Sequence, residues 1–177
     1  MSFGKFLSAV LITSGIAAGI GMYYLQVYAY YEEVPAEQAG EVLLTSVVSG
    51  QPEAITATDA TAIDSGSSPI RYRSCFETTY SMAMMTESYV VTDKAVPLVA
   101  PGWFGCFDAE RLGEDLESGA AIAFLGQENI EYGIDRMVAM YPDGRGFAWN
   151  QLNRCGEVVF KGQPTPQGCP EPPAKGE

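Results

Sequence analysis

The sequence predicts an α+β protein, with an N-terminal single transmembrane helix followed by a small antiparallel-sheet domain that holds one or two helices. Three observations favour this class: a long uncharged apolar run, segments that alternate with the two-residue period of strands, and one stretch with helix signals at both ends. We expect a membrane anchor over residues 1–31, an acidic and polar tether with a possible strand over 32–69, a disulfide-containing exported domain over 70–170, and a tail over 171–177.

The apolar run extends from Phe6 to Tyr24 and contains no charged residue. A helix of about 17–25 such residues is long enough to cross a bilayer core. A cleaved secretory signal has a shorter apolar region, of about 7–15 residues, before a small-residue site, and Val27-Tyr28-Ala29 resembles such a site. The length of the run and the tyrosines around its end, which suit a membrane interface, favour an uncleaved anchor.

The charges that flank this run predict its orientation. Lys5 precedes the run, whereas four glutamates follow it between positions 32 and 41. Because positively charged flanks stay in the cytoplasm, we expect a cytoplasmic N-terminus and an exported C-terminal domain. Four cysteines in a small acidic domain favour an oxidising compartment. In a bacterium, this predicts an inner-membrane protein with a periplasmic domain.

Small residues mark one side of the apolar run. Gly15 and Gly19 lie four positions apart, so the backbone of another helix could approach closely between them. Glycine is common in membrane helices, and a single motif of this kind is a weak signal. The spacing nevertheless makes Gly15 and Gly19 candidate binding residues for a membrane-protein partner.

The composition is strongly acidic, with 22 Asp and Glu against 10 Lys and Arg and a net charge of −12. Such a surface repels nucleic acid and anionic lipid, so we expect no nucleic-acid partner. A basic periplasmic protein is the more natural electrostatic partner, although a solvated acidic face accounts for the same composition.

The segment before the domain divides into two parts. β-branched residues cluster over residues 42–48 and a glycine follows, which predicts a strand that could add to the domain. Residues 50–69 are rich in Ala, Thr, Ser, Asp and Gly and contain no aromatic residue, which is typical of a tether.

Several elements are expected within the domain. Residues 70–76 alternate like a half-exposed strand, and residues 77–90 are ambiguous between helix and strand. Asp108 and Gly119 are a typical helix cap and stop around the clearest soluble helix. The remaining predictions are a buried strand over 120–126, a hairpin over 135–152 with a turn at 142–146, and one more strand over 156–160.

Three stretches carry a resemblance to a known family: "RYRSCFETTYSM", "APGWFGCFDAE" and "GQENIEYGIDRMVA". They resemble an uncharacterised family of small single-pass alphaproteobacterial proteins, known only as a domain of unknown function. The resemblance extends from Arg71 to Cys169. It implies an exported, membrane-tethered domain and brings no activity with it. Members are sometimes labelled histidine kinases, a label that this chain contradicts because it has no histidine.

The lack of histidine also removes the Ser-His-Asp and Cys-His nucleophile pairs and the His-containing zinc sites. Cys75, Cys106, Cys155 and Cys169 form no C-x-x-C motif, so structural disulfides are the favoured interpretation. Their spacing favours Cys75–Cys106 and Cys155–Cys169, although four cysteines allow three connectivities.

Three further groups of side chains admit a functional interpretation. Met82, Met84 and Met85 could be soft ligands for copper(I), but core packing accounts for them better, and we expect no metal or cofactor. Trp103, Phe104 and Phe107 surround a cysteine, where packing on a disulfide would account for them, and they would form a binding patch if exposed. The last group comprises three carboxylates that could act as general acid and base on a glycan: Glu128, Glu131 and Asp135.

Two functions follow from these features. The first is a non-catalytic, membrane-anchored periplasmic accessory or assembly subunit of a larger membrane complex. The alternative is a carboxylate-based envelope enzyme that acts on cell-wall glycan. A concave pocket that holds Glu128, Glu131 or Asp135 would favour the enzyme, whereas a flat apolar patch continuous with the Gly15/Gly19 face would favour the subunit.

Overall fold

The computed structural model describes residues 3–173 and has an α+β architecture. Its α-helices are α1 (Phe3–Tyr24), α2 (Ala36–Ala39), α3 (Met82–Ser88), α4 (Ala109–Ser118) and α5 (Arg154–Val159). Its strands are β1 (Glu32–Glu33), β2 (Glu41–Thr45), β3 (Pro52–Thr56), β4 (Thr58–Asp64), β5 (Arg73–Glu77), β6 (Ile122–Glu131), β7 (Ile134–Met140) and β8 (Arg145–Leu152). The first two residues of the predicted anchor and the last four of the predicted tail lie outside the described residues.

The N-terminal helix continues from α1 through a π-helical turn, Leu25–Ala29. Together they form one 27-residue helical segment, Phe3–Ala29. The most apolar stretch of this segment is not buried. In residues 3–173, this is the one helix whose length and composition suit a membrane span. Because no residue of α1 is buried against the domain, a bilayer or another protein is the environment that would shield its apolar side chains.

Six antiparallel strands form the central sheet, in the order β1-β4-β5-β8-β7-β6. The predicted hairpin is confirmed as β7 and β8, whose register runs from Ile134↔Leu152 to Met140↔Gly146. Its turn packs against the end of β5, where the Thr78 amide donates to the Gly144 carbonyl at 2.9 Å. Gly144 has a φ of +95°, and a Cβ there would lie 2.5 Å from the Thr78 carbonyl oxygen, so the turn requires glycine.

One face of the central sheet is covered by the hairpin β2–β3 together with α2 and α3, and we call it the hairpin face. Its buried core includes Leu44 and Met85 from the covering elements and Phe76, Phe124 and Val138 from the sheet. The hairpin approaches the sheet through Thr45, whose hydroxyl donates to the Gly126 carbonyl at 3.1 Å. The strand predicted within residues 42–48 is therefore present as β2, and its side chains Val42 and Leu44 are buried.

The opposite face is covered by the irregular segment 92–107 and by α4, and we call it the loop face. Trp149, Met137 and Phe107 form its core with Leu112 of α4. The predicted caps of α4 are confirmed, since the Asp108 carboxylate accepts from the Arg111 amide at 3.1 Å and Gly119 adopts a left-handed conformation.

Two expectations are corrected by the structure. Residues 52–64, predicted as part of a tether, form β3 and β4, because Ile55, Ala62 and Ile63 find apolar neighbours and are almost completely buried. Residues 156–160, predicted as a strand, belong mostly to helix α5. There the Asn153 side chain accepts from the amides of Cys155 and Gly156, and this N-cap outweighs the strand preference of the valines.

The ambiguous segment 77–90 divides between the end of β5 and helix α3. Ser81 begins the helix, because its hydroxyl accepts from the Met84 amide at 3.3 Å. Of the three methionines considered as copper ligands, Met85 is buried in the core, Met82 packs against that core, and Met84 is exposed.

Candidate functional site

The clearest candidate site is the junction where the N-terminal helix meets the domain. The Trp103 indole Nε1 donates a hydrogen bond of 2.7 Å to the Val27 carbonyl. Val27 lies in the π-helical turn, where terminal carbonyls need partners from outside the helix. The indole ring also stacks on Tyr28 and meets Tyr31 edge-on, with centroid distances of 6.4 and 6.1 Å. Trp103 is thus partly buried against the helix end.

A second group from the domain meets the same helix end. The Arg71 guanidinium lies over the rings of Tyr30 and Tyr31, at 5.4 and 5.5 Å from their centroids. Such cation–π contacts are attractive, more so when the cation is partly desolvated. The Arg71 Nη1 atom is buried and has no hydrogen-bond partner among the described residues. Trp103 therefore holds the last turn of the helix, and Arg71 holds the two residues that follow it, from two parts of the domain.

The segment that carries Trp103 is fixed to the sheet by Arg73. This side chain is only 4% exposed. Its Nε donates to the Leu98 carbonyl at 2.7 Å and its Nη2 to the Val99 carbonyl at 3.1 Å. Burial lowers the pKa of Arg73 to about 10, while Tyr31 and Asp64 oppose that shift. Arg73 therefore stays charged at neutral pH and holds an irregular backbone through charge-assisted hydrogen bonds.

Gln151 and a disulfide complete the attachment of segment 92–107. The Gln151 amide donates to the Lys94 carbonyl at 2.8 Å, and its carbonyl accepts from the Val96 amide at 2.8 Å. Cys75 of β5 is bonded to Cys106, three residues after Trp103. The sheet thus holds the segment by polar contacts near its start and by a covalent bond near its end.

The second disulfide joins Cys155 of α5 to Cys169. Near it, the Tyr132 hydroxyl donates to the Pro170 carbonyl at 3.2 Å. These contacts fasten the proline-rich end of the chain to the domain. Both cysteine pairs favoured by spacing are therefore confirmed.

The three carboxylates considered for catalysis have different roles in the structure. Asp135 is buried, and its Oδ1 accepts from the Asn129 amide at 2.9 Å and from the Asn153 side chain at 2.7 Å. It therefore fixes the β6–β7 turn. Glu131 is exposed and lines a cavity, whereas Glu128 is exposed and lies outside that cavity. The structure does not gather the three in one concave site.

The glycine face of the helix is open. A Cβ added at Gly15 or at Gly19 would meet nothing within 4 Å. Phe104 does not extend this face, because it packs with the loop-face core and edge-on against Trp103 at 6.3 Å. The two predicted binding groups, Gly15/Gly19 and Trp103/Phe104, thus lie at different levels: one along the helix and the other at its exit.

Sequence reasoning missed the two arginines that organise the junction. A signal was present, because Arg73 shares its side of the alternating strand with Cys75, and a charge on a buried side needs partners. No comparable signal marks the contact between Trp103 and Val27, which lie 76 positions apart.

The helix, its bonded junction and the sheet define a class of protein: a single long apolar helix joined directly to a disulfide-bonded α+β domain. The chain belongs to DUF6446, a family of unknown function, which matches residues 42–170. The match begins at β2 and extends past the second disulfide, so it covers most of the domain and excludes the helix. Comparisons with curated proteins and with solved structures find no match.

Proposed function

We propose that this protein is a non-catalytic accessory or assembly subunit of a larger membrane complex. The helix docks beside a membrane-protein partner through Gly15 and Gly19, and the domain sits on the periplasmic side of a bacterial inner membrane. The charges around the helix support this orientation, since Lys5 precedes it and acidic residues follow it. The two disulfides support an oxidising compartment.

The observation that carries the proposal is the bond between Trp103 and the Val27 carbonyl. A flexible tether would leave the domain free to turn above the membrane. Here the indole holds the last turn of the helix and the Arg71 guanidinium holds the two tyrosines after it, so the orientation of the domain follows the orientation of the helix. A subunit that docks by its helix would therefore present one defined side of its domain to the complex.

The acidic character of the domain indicates the kind of surface that could face it. With a net charge of −12, the chain attracts a basic protein and repels an acidic one. The glycan enzyme has less support, because Asp135 holds a turn and Glu128 lies apart from the cavity that Glu131 lines.

A pull-down with matched helix variants tests the proposal. Gly15→Leu/Gly19→Leu places bulk on the glycine face and preserves hydrophobicity, so insertion is retained. The matched control is Ala17→Leu/Gly21→Leu, which has the same spacing but lies roughly 200° around the helix. The tagged full chain is extracted in mild detergent and co-purifying proteins are identified.

We expect the first variant to lose the proteins that co-purify with the wild type, and the control variant to retain them. Both should insert and keep two disulfides. Equal recovery of the same partners by all three proteins would contradict docking through Gly15 and Gly19. Loss of partners in both variants would show that the interaction depends on the helix as a whole and not on its glycine face.

A further inference from the structure

We propose that a cavity on the hairpin-face side of the sheet binds a small zwitterion, an amino acid or a short peptide that bears both a carboxylate and an amine. The cavity has a volume of about 650 Å³, within the roughly 300–1,000 Å³ typical of small-molecule sites. Its lining includes one basic residue, Arg136, and four acidic residues: Glu32, Glu33, Asp64 and Glu131.

Arg136 is held in a fixed position. Its guanidinium lies over the Tyr72 ring at 3.5 Å from the centroid, and its Nε donates to the Asn150 side chain at 2.9 Å. Asn150 is itself buried, and it donates to the Pro69 carbonyl at 2.6 Å. Stacking and hydrogen bonding together orient the guanidinium before any ligand arrives, which lowers the entropic cost of binding.

Arg136 makes no salt bridge among the described residues. Its two Nη groups donate to no protein acceptor within residues 3–173. Burial lowers the pKa of Arg136, while Tyr72 and Asp64 oppose that shift. The guanidinium is partly buried and makes no salt bridge, and a planar fork of free N–H donors matches a carboxylate. The open Nη groups therefore indicate where the ligand's carboxylate binds.

Acidic side chains face the same space. Burial raises the pKa of Asp64, although the Ser65 amide, Arg136 and Arg73 act in the opposite direction. Asp64 accepts from the Ser65 amide at 2.8 Å and makes no ion pair among the described residues. Glu131, from the end of β6, is exposed at the rim. The cavity thus holds charges of both signs that form no salt bridge with one another, and an ammonium group would find an acidic partner there.

The balance of charges selects the class of ligand. A phosphate would meet one cation and four carboxylates, so repulsion disfavours it. A polyamine would satisfy the carboxylates but leave the oriented guanidinium unpaired. A zwitterion supplies one partner of each sign, with its carboxylate on Arg136 and its amine toward Asp64 and Glu131. This site is separate from the glycine face, so it goes beyond the docking function and does not depend on it.

Calorimetry with three dipeptide probes tests the proposal on the purified full chain in detergent micelles. Alanyl-alanine carries both charges, its N-acetyl form keeps only the carboxylate, and its C-terminal amide keeps only the amine. We expect alanyl-alanine to bind and each blocked form to bind at least about tenfold more weakly, because each loses one charge-assisted contact.

Variants with matched controls assign the contacts. Arg136→Gln should weaken alanyl-alanine binding at least about tenfold and abolish the difference between the dipeptide and its amide. The control is Arg145→Gln, since Arg145 also lies over a tyrosine, Tyr141, at 4.4 Å but outside the cavity. Glu131→Gln should weaken the amine-bearing probes several-fold, whereas Glu128→Gln should not. Both glutamates are exposed, so their substitution should not disturb folding. Comparison of Glu131→Gln with Glu128→Gln therefore tests the cavity even if Arg136→Gln does not fold.

Three results would overturn the proposal: no binding of alanyl-alanine to the wild type, equal binding of either blocked form, or binding that neither cavity variant changes. Equal binding of the amide would instead make this a cation site. A negative outcome here leaves the pull-down result unchanged, so failure of the cavity proposal and failure of the docking proposal are distinguishable.

Discussion

The two faces of the central sheet are covered in different ways. The hairpin face is closed by regular elements whose backbones bond to one another and whose apolar side chains, such as Leu44 and Met85, interlock with the sheet. The loop face is closed by α4 and by segment 92–107, which contains no long regular element of its own. That segment depends on Arg73, Gln151 and the Cys75–Cys106 bridge.

The difference shows which contacts are replaceable. Apolar packing on the hairpin face is shared among many side chains, so the loss of one is partly compensated by its neighbours. On the loop face, segment 92–107 also packs Phe107 into the core, but its backbone is held by a disulfide and by a few polar contacts, which satisfy buried groups that would otherwise lack partners. The loop face is also the one that carries Trp103 to the helix. Damage there should therefore reach the helix junction, whereas damage to the hairpin face should not.

The largest expected effect is that of Arg73→Met. Its guanidinium donates to the carbonyls of Ile70, Tyr72, Leu98 and Val99. Methionine fills similar space but leaves these carbonyls without their donor, so we expect the free energy of unfolding to fall by about 3 kcal/mol or more. Urea unfolding of the full chain in detergent measures the change.

The matched control for Arg73→Met is Arg154→Met, because Arg154 is exposed and should change stability by less than about 0.5 kcal/mol. If the two substitutions cost the same, the loop face is not held by Arg73.

A smaller effect is expected from Gly126→Ala on the hairpin face. A Cβ there would lie 3.0 Å from the Arg136 carbonyl oxygen and 3.1 Å from the Leu43 carbonyl oxygen. The hairpin must move slightly away from β6, so we expect a loss of about 1–2 kcal/mol in the free energy of unfolding.

Gly113→Ala is the control for this substitution, since a Cβ in that part of α4 meets nothing within 4 Å. It should stabilise the protein by about 0.5–1 kcal/mol, because alanine suits a helix better than glycine does. A stabilising Gly126→Ala would show that the two layers are not in close contact at β6.

The smallest expected effect concerns a polar contact between the sheet and α4 on the loop face. The Tyr141 hydroxyl donates to the Asp115 carboxylate at 2.6 Å. Burial, together with this bond and the charge of Asp115, raises the pKa of Tyr141 from 10.0 to about 12. The contribution of the neutral phenol to stability is therefore complete below pH 10 and is lost as the pH rises toward 12.

Absorbance of tyrosinate at alkaline pH measures this prediction. Subtracting the titration of Tyr141→Phe from that of the wild type should leave a component with a midpoint near 12. A difference component near 10 would mean that Tyr141 is free of Asp115.

The predictable parts of the fold were those whose cause lies within a short stretch of sequence. The caps of α4, the turn of the β7–β8 hairpin and the Cys155–Cys169 disulfide follow from nearby residues. The missed parts have distant or competing causes. Strands β3 and β4 were hidden because their alanines, threonines and aspartates resemble a tether until the core that buries Ile55 and Ile63 is known. Helix α5 was missed because the cap from Asn153 competes with β-branched valines.

The candidate site shows the same limit. The exposed glycine face follows from composition and spacing, because no packing in the described chain alters it. The junction does not, since it joins Trp103 to Val27 across 76 positions and needs Arg73 to place the intervening segment. Buried arginines and their carbonyl partners are set by tertiary structure, which a local pattern does not encode.

Hydrogen exchange on a variant without the Cys75–Cys106 bridge tests the link between the loop face and the helix most directly. Cys75→Ala/Cys106→Ala in the full chain is compared with Cys155→Ala/Cys169→Ala, both in lipid nanodiscs at neutral pH.

For the first variant, we expect exchange at least about tenfold faster than in the wild type over residues 92–107 and at the helix exit, residues 28–31, with no change in β2 and β3. The second variant should leave all three regions protected. Faster exchange in β2 and β3 to the same extent as in residues 92–107, or an unchanged helix exit beside a loosened segment 92–107, would contradict a loop face that helps to fix the domain to its helix through Trp103.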